Sequence, residues 1–145
     1  MTAKELFTED QKTQIVTAIT EAERQTSGEI RVHLDKRCKG NPVEQAMHVF
    51  TKLGMRKTAL RNGVLIYLAV EDKKMAIIGD QGIYDLVPAD FWEEIKERMM
   101  QQFKKGLFTE GLIEAIAAAG VQLKTYFPYQ KSDVNELSDD ISFGN

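Results

Sequence analysis

The sequence predicts an α/β fold, a three-layer α/β/α sandwich with a small mixed central sheet. Three observations carry this. Apolar residues recur at helical spacing in four segments, and three short β-rich runs fall among them. The first and second runs are separated by a helix, whereas the second and third are joined by the short polar stretch Glu71-Asp72-Lys73-Lys74.

Thr8 followed by Gln11 reads as a capping box, in which the hydroxyl takes an orphan amide and the Gln returns to the Thr amide. Ile15, Ala18, Ile19 and Ala22 then give a first helix over about Glu9 to Gln25, ended by Ser27-Gly28. Ile30 and Val32 alternate with Arg31 and His33 in a strand from Glu29 to Leu34. Pro42 suits a first helical turn, and Val43, Ala46, Met47 and Phe50 form an apolar stripe ending near Met55. Arg61-Asn62-Gly63 opens the continuous apolar run Val64 to Val70, the pattern of a strand covered on both faces. Met75 to Ile78 resumes a strand, most simply as the return arm of a hairpin, and Gly79-Asp80-Gln81-Gly82 breaks it. Phe91, Trp92, Ile95, Met99 and Phe103 mark a third helix, with Asp90 and Glu93 as its start and Lys104-Lys105-Gly106 as its close. A last helix follows Thr109, with Gly120 allowing close approach, and Pro128 stops it. Residues 1–128 are thus one domain, followed by an extended acidic tail, 129–145, where disorder is expected.

A length of 145 residues suits one domain with one core. A formal charge of −3 with scattered Lys and Arg offers no basic stripe for a run of phosphates, so nucleic acid is excluded as a partner. Cys38 stands alone and only two His are present, which excludes an internal disulfide and a Cys-rich zinc cluster. The longest apolar run is far below the roughly twenty residues that span a bilayer. With no apolar leader at Met1 to Leu6, the chain is read as a soluble, cytoplasmic monomer without direct membrane insertion.

The topology carries a functional consequence. A helical crossover makes the first two strands parallel, and a hairpin turns the third back. The starts of the first two strands and the end of the third then share one edge of the sheet, which gathers Glu29, Arg61, Asn62, Asp80 and Asp85, with Ser27 and Asp90 within reach. Carboxylate and amide oxygens at a glycine-rich corner suit a hard cation, which takes oxygen ligands in flexible geometry. The same residues also suit a plain scaffold: Asp and Asn beside Gly are favoured in turns, and Arg61 could pair with Glu29. Gly79-x-x-Gly82 could instead cradle phosphate on backbone amides, but it lacks the Lys and Ser or Thr of a P-loop. His33 and His48 have no ligand spacing and read as surface or half-buried residues, and Cys38 lacks a partner base. The tail segment Ser132 to Asp140 departs from a calcium loop at Leu137 and Ser138 and reads as a solvated acidic tail.

Phe7-Thr8 with the first helix, Ser27-Gly28-Glu29-Ile30-Arg31-Val32, Arg61-Asn62-Gly63-Val64-Leu65-Ile66, Ile78-Gly79 through Gly82-Ile83, and Phe103-Lys104-Lys105-Gly106 with Gly111-Leu112 together resemble the TPM domain family. That module occurs in thylakoid-lumen proteins tied to photosystem II repair and in an acetylcholine-receptor auxiliary subunit. The resemblance covers about Leu6 to Tyr126 and implies an α/β/α sandwich, an association with calcium or other divalent ions, and a phosphatase activity assigned to plant members. Glu29, Arg61, Asn62, Gly79 and Gly82 match its motifs, and Asp80 and Asp85 fall in the adjoining acidic loop. Two positions depart from it: the acidic residue after Pro88 is displaced to Asp90, and Tyr84 stands where many members have Glu. The expectation is a calcium-binding or magnesium-binding module with Glu29, Asn62, Asp80 and Asp85 as ligands and Arg61, Ser27 and Asp90 in support. It would be accessory to a larger, membrane-associated protein complex. A metal-assisted phosphatase acting on phosphomonoesters is the alternative, with Arg61 stabilising developing charge.

Overall fold

The computed structural model describes residues 1–88, 90–129 and 139–145. Helix α1 spans Glu9–Glu23 and carries the expected capping box, with Thr8 Oγ1 accepting from the Gln11 amide and Gln11 Oε1 accepting from the Thr8 amide. Strand β1 (Glu29–Asp35) is followed by α2 (Pro42–Lys52), β2 (Gly63–Ala69) and β3 (Lys74–Gly79). A one-turn helix α3 (Gln81–Tyr84), then α4 (Glu93–Lys104), α5 (Phe108–Tyr126) and a two-residue strand β4 (Ser142–Phe143) complete the described chain.

The sheet order is β3-β2-β1-β4. β1 and β2 are parallel, with Glu29 opposite Gly63, and β3 returns antiparallel with Gly79 opposite Val64. This is the topology the crossover and hairpin demand. The sheet separates two apolar layers. Ile30, Val32, Leu34, Val64, Ile66 and Leu68 point to the face covered by α1, α4 and α5, while Leu65, Tyr67 and Ala69 meet Ala46, Val49 and Phe50 of α2. β2 is buried at every position, as its unbroken apolar run requires. Gly120 lets α5 approach α1, since a Cβ there would lie 2.9 Å from that of Ala22.

Three features differ from the sequence reading. Asp80 does not merely break a strand: it caps α3, accepting from the Gln81 amide. Helix α4 begins at Glu93 after Trp92, without a side-chain cap from Asp90. The end of the chain is packed rather than extended. β4 pairs in parallel with His33 and Leu34, and Ile141 is buried. The side chain of Asn145 accepts from the Lys36 and Arg37 amides at 2.7 and 3.0 Å, and its carbonyl accepts from Ala3 at 2.8 Å. Acidic composition predicts disorder there, whereas residues 139–145 are held against β1 by backbone pairing and the burial of Ile141. Most of the calcium-loop-like stretch, up to Ser138, lies outside the described residues.

Candidate functional site at the α2–β3 end of the sheet

The register places Glu29, Gly63 and the end of β3 side by side, and backbone bonds knit the three segments. Glu29 N donates to Asn62 O at 3.3 Å, Asp80 N to Gly63 O at 3.0 Å, and Gly82 N to Arg61 O at 2.9 Å. Asn62 Nδ2 donates to Ser27 O at 3.3 Å. Gly82 is required here: a Cβ would overlap the carbonyl oxygen of Leu60 and lie 2.7 Å from that of Arg61. Arg61 itself adopts φ 51°, a left-handed conformation unusual for a side-chain-bearing residue, at the turn that delivers it to Asp80.

The central feature is a bidentate ion pair. Arg61 Nε donates to Asp80 Oδ2 and Nη2 to Oδ1, both at 2.8 Å. Oδ1 also accepts from the Gln81 amide at 2.7 Å. The Asp80 side chain is 4% exposed and that of Arg61 45%. The hydrogen bonds to Asp80 raise the Arg61 pKa further, fixing the guanidinium as charged. Arg61 therefore pairs with Asp80, not with Glu29. The Gln81 and Gly82 amides are committed to Asp80 Oδ1 and Arg61 O, so the phosphate-cradle option loses two of its donors.

The pair borders a cavity of about 350 Å³ lined by Val43, Met47 and Phe50 of α2, Arg56, Arg61, Ile78, Gly79, Asp80, Gln81 and Tyr84. The structure thus brings Ser27, Glu29, Arg61, Asn62 and Asp80 together, but Asp80 and Arg61 alone among them line the cavity. Glu29 and Asn62 are buried in the sheet's edge. Asp85 and Asp90 are exposed, and among the described residues neither makes a side-chain hydrogen bond or ion pair. Among the described residues no group of three or more His, Cys, Asp or Glu is gathered so as to hold a metal ion. The apolar stripe of the sequence includes Val43 and Met47, which the structure leaves exposed at the cavity beside Arg56, a residue that no motif marks.

The other chemically suggestive group is structural. His33 Nδ1 contacts Ser142 Oγ at 2.8 Å, His33 Nε2 contacts Asp35 Oδ1 at 3.0 Å, and the Tyr67 hydroxyl donates to Asp35 Oδ2 at 2.7 Å. His33, Asp35 and Tyr67 are all buried, and this network ties β4 onto β1. Burial pushes Asp35 upward, but hydrogen bonds from His33 and Tyr67 outweigh it and hold the carboxyl below its ordinary value.

The comparisons agree with this architecture. A family model described as the TPM domain matches residues 1–122. The chain is similar to BA42 from the psychrophilic bacterium Bizionia argentinensis, solved by NMR, with 48% identity, a TM-score of 0.90 and 95% of each chain covered. The N-terminal domain of a Corynebacterium glutamicum protein shares the fold at 14% identity and TM-score 0.64, over 96% of this chain and 80% of that one. An N-terminal domain from P. gingivalis does so at 18% and 0.68, over 86% and 82%. None of the curated proteins matches. Among the described residues no helix is long and apolar enough to cross a membrane. With a family model over most of its length and a near-superimposable relative at 48% identity, the chain belongs to the TPM domain family.

Proposed function

We propose that this TPM domain is a binding module, accessory to a larger protein assembly, that takes a calcium or magnesium ion at the Asp80 end of the cavity. The observation that carries the reading is the state of Asp80. Its carboxylate is almost wholly buried at a cavity wall, and its counter-charge is a guanidinium on a half-exposed side chain. A buried carboxylate needs a compensating cation, and Arg61 stands in that place. A long side chain can move its charged head into water at small cost, and a hard cation entering from the cavity would take the two oxygens it leaves. Of the four ligands expected from sequence, Asp80 alone lines the cavity, so the donor set suits a largely hydrated ion held by one carboxylate. A single carboxylate with a tethered competitor corresponds to weak affinity, on the order of millimolar.

The test is a titration of isotope-labelled protein with calcium and, separately, magnesium, read amide by amide. The reading expects saturable shifts at Arg61, Asn62, Asp80 and Gln81 that disappear in Asp80→Asn. Absence of any response up to about ten times the millimolar range removes it.

One observation favours a second reading. Arg56 and Arg61 line one cavity, an arrangement suited to an anion, and a metal there would polarise a phosphoryl oxygen of a phosphomonoester. Turnover of p-nitrophenyl phosphate, with and without metal and in Asp80→Ala, tests it. No turnover across a range of pH removes the phosphatase reading, and turnover indifferent to Asp80→Ala removes this site from it.

A further inference from the structure

We propose that the groove between α2 and α3 docks a polypeptide segment of a partner protein that presents an aliphatic or aromatic side chain next to a carboxylate. This rests on the binding-module reading and specifies its protein ligand.

Part of the apolar stripe of α2 is left uncovered by the sheet. Ala46 and Phe50 are buried, but Val43 and Met47, at the same helical spacing, are 43% and 47% exposed. From α3, Tyr84 lines the same cavity at 67% exposure, with Ile78 and Phe50 also in its wall. A cavity of about 350 Å³ accepts one large side chain or a small ligand. A small ligand seated inside would leave the outer parts of Val43, Met47 and Tyr84 in water. A polypeptide laid across the opening covers them, and Met and Tyr are residue types that interfaces favour.

Charge defines the other half of the ligand. The Arg56 side chain makes no hydrogen bond or ion pair among the described residues, and Arg61 commits only Nε and Nη2 to Asp80. Beside these apolar walls the Arg56 guanidinium, with the remaining donors of Arg61, suits a carboxylate on the docked segment and disfavours a lysine. Inorganic phosphate would satisfy the arginines and leave the apolar wall unused. A segment with alternating or adjacent apolar and acidic residues uses both.

The experiment titrates labelled full-length protein with a synthetic peptide of alternating Leu and Glu. Control peptides replace Leu by Ser or Glu by Lys. The expected result is saturable shifts of the Val43, Arg56, Arg61 and Tyr84 amides and of the Met47 methyl group, with each control weaker by about tenfold or more. Arg56→Glu, a change at an exposed site whose fold is checked by spectral dispersion, should weaken the Leu-Glu peptide about tenfold and favour the Leu-Lys control. Equal binding of the lysine peptide, shifts confined to other surfaces, or no saturable shift overturns the proposal. So does concentration-dependent self-association that moves the same signals without peptide, which would assign the groove to a second copy. Calcium added to the same sample separates the two levels. A cation response without a peptide response overturns this inference and leaves the binding-module reading standing, whereas silence to both overturns both.

Discussion

Arg61 and Asp80 meet because two turns, nineteen positions apart, are laid against each other by the hairpin between them. Their bond competes with any ion that would take the same carboxylate. Arg61→Gln keeps a polar side chain but removes the competing charge, so calcium affinity should rise about tenfold over the wild type, read from the same amide shifts. The variant's melting temperature should also gain more from added calcium than the wild type's, because an otherwise uncompensated carboxylate acquires its partner on binding. Equal or weaker calcium binding in Arg61→Gln would show that the guanidinium supports the ion rather than displacing it. Gly82 carries a different kind of constraint. Gly82→Ala forces a methyl into the carbonyls of Leu60 and Arg61, and a loss of about 1–3 kcal/mol in urea unfolding is expected. The proximity of Arg61, Asn62 and Asp80 was legible in the sequence, since strand direction alone decides it. Which carboxylate Arg61 would choose was not, because that depends on a left-handed backbone turn no spacing rule specifies.

At the scale of elements, legibility tracked how many residues declare each one. Helix α1 announces itself by a capping box and a sustained apolar period, and both hold. Strand β4 has two residues and no alternation to detect, so a long-range pairing was hidden in an acidic stretch. Its neighbourhood predicts a measurable pH dependence. Burial, then a hydrogen bond with Asp139 and the nearby charge of Glu29, pushes Glu23 from 4.5 up to about 10, while the Ile30 amide bonded to it acts in the opposite direction. The folded state keeps a proton the unfolded state has released, so this stabilisation is full below about pH 4.5 and is lost as pH rises toward 10. Glu23→Gln should flatten that decline and raise the melting temperature at pH 9 by roughly 3 °C or more, about 1 kcal/mol. Asp35 acts with the opposite sign, its contribution present above its ordinary value of 3.8 and lost below it. A stability profile rising steadily from pH 5 to pH 9 would contradict the assignment of Glu23.

The whole molecule is a sheet with one fully covered face and one partly covered face. Three helices lie over the first, so Ile30, Val32 and Leu34 of β1 and Val64, Ile66 and Leu68 of β2 are all closed in. Among the described residues the second is covered by α2 and the short turn at Met55, and their unfilled flank is the cavity that Asp80 and Arg61 border. The fold's asymmetry therefore makes the site. The sequence pattern showed the layers, because period and order decide them, but it did not show how far one helix falls short of covering a sheet face, which depends on packing. In the proposed function the buried carboxylate at this cavity is a cation site held closed by a side chain. The most direct measurement is the residue-resolved calcium titration of the wild type beside Asp80→Asn. Saturable shifts centred on Arg61, Asn62, Asp80 and Gln81 in the wild type, absent from the variant, are the predicted result; identical responses in the two proteins, or none in either, would contradict it.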